Sequence, residues 1–104
     1  MEFPGGWTAL VASLSVVDLD DPQRSWRFLR AQGLVNDVAN GPDALAKATA
    51  EEVGRGRITG GSLAYRIAEQ LVKTGLTQPS ALERDPFGKL AAVRWETFLS
   101  AESR

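Results

Sequence analysis

The 104-residue sequence contains neither cysteine nor histidine. The first absence excludes disulfides, a thiolate nucleophile and sulfur ligation of zinc or an iron–sulfur cluster. The second removes the commonest general base, the commonest transition-metal ligand and the side chain that titrates near neutral pH. Acid–base chemistry would fall to carboxylates, lysines, hydroxyls and the single tyrosine, Tyr65. These gaps argue against an enzyme and lead us to expect no cofactor and no metal. Long hydrophobic runs are missing too. Residues 3–17 carry no charge, yet the stretch is too short and too rich in Ser and Gly to span a bilayer. The Met-Glu-Phe-Pro start places an acid where a secretory leader needs Lys or Arg. The expectation is a cytoplasmic protein without a membrane partner. Excess positive charge is absent as well. A domain that binds nucleic acid by bulk charge usually has a pI above about 9, against about 5.4 here.

What is present describes a folded domain. Apolar residues make up 43% and charged residues 24%, far from the signature of disorder. A chain of this length fits one domain, residues 1–104, and can bury roughly two-thirds of the surface it exposes when unfolded. Charge is mildly uneven along it. Residues 1–51 hold four basic and seven acidic side chains, and residues 52–104 hold eight basic and six acidic.

Apolar periodicity and turn residues predict an all-α fold, a compact orthogonal or up-down bundle of about five helices over residues 7–17, 22–32, 42–53, 60–74 and 86–101. In the first, Trp7, Leu10, Val11, Leu14 and Val17 share one face. The second opens with Asp21 as N-cap and Pro22 at the first helical position, and Gly33 ends it. The third has a thin stripe of Leu45, Ala46, Thr49 and Val53. The fourth carries Leu63, Ala64, Ile67, Ala68, Leu71 and Val72 and is closed by Gly75. Thr59 or Ser62 caps its start, with Ile58 and Leu63 spaced as a hydrophobic staple. The last gathers Phe87, Ala91, Trp95, Phe98 and Leu99, with Leu90 and Val93 spilling onto a second face. Extra short turns are expected at 34–39 and 78–84. The predicted core includes Trp7, Leu10, Leu14, Trp26, Leu29, Leu63, Ile67, Leu71, Phe87, Trp95 and Phe98, with the three tryptophans converging in it.

Several polar groups invite a functional reading. Arg24, Arg27 and Arg30, spaced three apart, could contact successive phosphates, although Asp18, Asp20 and Asp21 nearby weaken the local field and a solvated face is the simpler account. Those three acids lack the spacing of an EF-hand loop, and Asp21 already serves as a cap. Residues 54–62, with four glycines and with Arg55 and Arg57, precede a helix N-terminus that could receive an anion. The Lys of a phosphate-binding loop is missing, so a plain connector is preferred. Arg66, Glu69 and Lys73 have the spacing of a surface salt-bridge ladder. A helix-turn-helix over residues 62–84 fails because Asp85-Pro86 cuts its second unit.

The leading expectation is a non-enzymatic protein–protein interaction or assembly module, such as an adaptor, regulatory or structural subunit, in which a protein partner or self-association engages Leu90, Val93 and Arg94. The wide apolar arc of the last helix motivates it. The alternative is a nucleic-acid-binding regulator using Arg24, Arg27, Arg30, Arg55 and Arg57.

Overall fold

The computed structural model describes residues 7–56, 61–77 and 91–103. They form five helices and, among the described residues, no strand: α1 Trp7–Val16, α2 Pro22–Ala31, α3 Gly41–Gly54, α4 Gly61–Lys73 and α5 Ala91–Glu102. The bundle is therefore all-α, as the periodicity predicts. The side chain of Trp7, together with Ile58, Thr59, Phe87, the 78–84 turn and the start predicted for the last helix at 86, lies outside the described residues, as do the predicted site residues Arg57 and Leu90.

Helix α4 packs against both α1 and α3, while α2 packs on α3 and α5 returns to α1. Leu10, Leu14, Leu45, Ile67 and Leu71 are fully buried where these faces meet. The apolar stripe of α4 is buried at Leu63, Ala64, Ile67, Ala68 and Leu71. On α1 the buried face is slightly rotated from the predicted one: Ser13 is buried and Val11 only half-buried.

The start of α2 follows its sequence signals. Asp21 Oδ1 accepts the Arg24 N–H at 3.2 Å, Pro22 occupies the first turn, and the buried Ser25 hydroxyl donates to the Asp18 carbonyl at 2.6 Å. Two helices end in the same way. Gly33 and Gly75 take left-handed φ values of 74° and 75°. After α2, Gly33 N–H donates to the Arg30 carbonyl and Leu34 N–H to that of Leu29. After α4, Gly75 N–H donates to the Val72 carbonyl and Leu76 N–H to that of Leu71. Both are Schellman caps, which satisfy terminal carbonyls and set a following leucine over the last turn.

The chain leaving one cap meets the chain leaving the other. Asn36 N–H donates to the Leu76 carbonyl at 2.8 Å, Asn36 Nδ2 donates to the Gly75 carbonyl, and the Thr77 hydroxyl donates to the Leu34 carbonyl. This pairing corrects the helical turn expected at 34–39. Residues 36–38 have no regular structure: the Asn36 N–H is committed to the Leu76 carbonyl, while the Val38 N–H donates to the Asn36 carbonyl.

Helix α3 also departs from expectation. Its buried positions are Gly41, Leu45, Ala48 and Glu52, whereas Val53 is 41% exposed. The helix begins at Gly41 rather than Pro42. The Trp26 indole lies on the Gly41 backbone so closely that a Cβ there would meet Cε2 at 2.0 Å. Trp95 belongs to the same buried cluster as Trp26, edge-on to Phe28 at 5.2 Å and stacked on Phe98 at 5.8 Å. Such ring pairs contribute about 0.5–1.5 kcal/mol beyond their burial.

Candidate functional site

The arginine face of α2 is engaged by carboxylates. Glu102, near the C-terminal end of α5, receives a two-pronged contact from Arg27, with Nε at 3.0 Å and Nη2 at 3.2 Å. Arg24 Nε stands 3.2 Å from the same carboxylate and 3.7 Å from Asp21. Arg30 pairs with Asp37 at 3.1 Å. The Arg27 hydrogen bond, aided by the charges of Arg27 and Arg24, holds the Glu102 carboxyl below its usual range against a smaller opposing cost of burial. Each of the three predicted phosphate contacts thus has an acid beside it, and the row ties α5 to α2.

Asp18 and Asp20 shape the turn before α2. Asp18 Oδ1 accepts the Asp20 N–H at 3.0 Å, and the Asp18 carbonyl accepts the Asp21 N–H. No cluster of three or more potential metal-ligating carboxylates occurs among the described residues.

Arg55 belongs to a cluster between α3 and α4 centred on Glu52. The Glu52 side chain is 3% exposed, and its Oε2 accepts from Arg55 Nη1 at 2.7 Å and from Gln70 Nε2 at 2.8 Å. A polar pocket of about 150 Å³ lies here, lined also by Arg66, Glu69 and Lys73. Arg66 pairs with Glu69 at 3.0 Å and lies over the Tyr65 ring at 5.8 Å, so part of the predicted ladder forms. No Glu69–Lys73 ion pair is present among the described residues. The sequence reading missed Glu52, which looks like a solvated acid beside Glu51. The signal available was its spacing of seven from Leu45 and four from Ala48 along the buried stripe.

Two grooves have apolar floors. The larger, about 550 Å³, runs between α3 and α4, with Ala44, Ala48 and Leu71 below and Asp43, Lys47 and Glu51 at its edge. The second, about 320 Å³, lies where the ends of α1 and α3 meet the start of α4, and Asp18 and Asp20 stand beside its apolar lining.

On α5 the predicted interface separates from the core. Val93 is 60% exposed, and Arg94 is exposed with Nη1 donating to Gln32 Oε1 at 3.4 Å. Ala91 and Trp95 face inward. Val53 and Val93 are the large hydrophobics that stand exposed among the described residues. No helix among the described residues is long and apolar enough to cross a membrane. Comparison with protein-family models, curated proteins and solved structures finds no match for this chain.

Proposed function

We propose that this chain is a protein–protein interaction or assembly module, an adaptor, regulatory or structural subunit rather than an enzyme. The observation that carries the reading is the exposure of Val93 on the outer face of α5, at 60%. An apolar side chain so placed gains free energy when a partner covers it, and a neighbouring Arg such as Arg94 adds an anchor of the type enriched at binding hot spots. The nucleic-acid alternative draws less support, because Arg24, Arg27 and Arg30 already stand within 3.2 Å of carboxylates.

A photo-cross-linking residue placed at Val93 in the whole chain, in its own cells, tests this. A discrete adduct is expected from position 93 and not from Gln23, an exposed site on α2. Equal labelling from both positions, or none from either, would remove the reading. The adduct mass separates a second copy of this chain from a different protein.

A further inference from the structure

The groove at the junction of α1, α3 and α4 has a composition that matches the outer face of α5. Leu14, Leu19, Val53 and Leu63 line it, and Asp18 and Asp20 are exposed at its edge. Val53 is 41% exposed there. Neither Asp18 nor Asp20 has an ion-pair partner among the described residues. The groove, about 320 Å³ in volume, has room for an apolar side chain.

The groove therefore presents an apolar floor beside negative charge, and α5 presents an apolar side chain beside a cation. Both exposed large hydrophobics of the described surface, Val53 and Val93, fall on these two sites, one on each. We propose that the groove of one copy receives Val93 and Arg94 of a second copy, so that the chain self-associates through two different surfaces. This rests on the interaction-module reading and names its partner. Val93 enters against Val53 and Leu19, and the Arg94 guanidinium meets Asp18 and Asp20. The contact surfaces are unlike, so association closes into a reciprocal dimer or a ring where the rotation between copies allows it and otherwise continues copy to copy.

The test is molar mass by light scattering across a concentration series, on the whole chain and on single exposed-site variants. Wild type is expected to associate. Arg94→Glu and Asp20→Lys, each placing like charges across the contact, are each expected to weaken association about tenfold or more. Val53→Asp should do the same through the floor. The two charge variants mixed in equal amounts should recover association, since each unlike pairing then joins opposite charges, one reversed and one as in wild type. Circular dichroism on each variant checks that the helices remain. If wild type associates but the variants match it, or the mixture fails to recover, the groove is not the contact. A wild type that stays monomeric at every concentration overturns the inference. In that case an adduct of a different protein at position 93 would still uphold the interaction-module reading.

Discussion

Glu52 is a carboxylate in a position that a leucine would ordinarily occupy. Burying it is tolerable because Oε2 has two donors, Gln70 from across the helix interface and Arg55 one turn on. They do not weigh equally. Arg55 is 60% exposed, where water screens its charge and leaves less than about 1 kcal/mol. Glu52→Ala removes the acceptor that the Gln70 amide uses at the interface and should cost about 1–3 kcal/mol. Arg55→Ala should cost less than about 1 kcal/mol. Replacing both Glu52 and Gln70 by leucine should be near neutral, since an apolar pair of similar shape needs no donor. Urea denaturation of the three variants decides it: equal losses from Glu52→Ala and Arg55→Ala would mean that the Gln70 bond contributes nothing.

Helix ends set the shape of this bundle as much as helix faces do. Gly33 and Gly75 have φ near +75°, where a Cβ is strained although open space surrounds it. Gly33→Ala and Gly75→Ala should each lower stability by about 1–2 kcal/mol. Gly54→Ala, with ordinary φ and nothing within 4 Å, should raise it by about 0.5–1 kcal/mol. Thermal melts of the three compare strain with chain entropy directly. The five helices were legible in the sequence because their signals are local: a repeat of apolar residues, Asp-Pro at one start, glycine at two ends. The 34–39 stretch was not, since its conformation depends on bonds to residues 75–77. The phase of α3 slipped by one position because the donor that makes Glu52 burial acceptable lies on α4. In the candidate site, the arginine row and the exposure of Val93 could be read from spacing. The acid facing the row could not, being 75 residues from Arg27.

Across the whole molecule, Glu102 joins α5 to α2 through Arg27 and Arg24. Its carboxyl is held below the usual range, first by the Arg27 hydrogen bond. A carboxyl whose folded value is depressed adds stability that is complete above its unfolded value and disappears as pH falls through the folded one. The stability gap between wild type and Glu102→Gln should therefore be open at neutral pH and close in acid. It should also narrow in high salt, because the charges are solvent-facing. Melting temperatures followed down the acid range check the first point, and a gap that stays constant would show that the carboxylate charge does not hold α5. The packing order has a consequence for synthesis. Helix α1 is made first among the described helices, yet its neighbours are α4 and α5. At about 5–20 residues per second, the face bearing Leu10 and Leu14 waits on the order of seconds for α4 to leave the ribosome. During that interval the nascent chain shows an uncovered leucine surface, the kind of surface that chaperones hold.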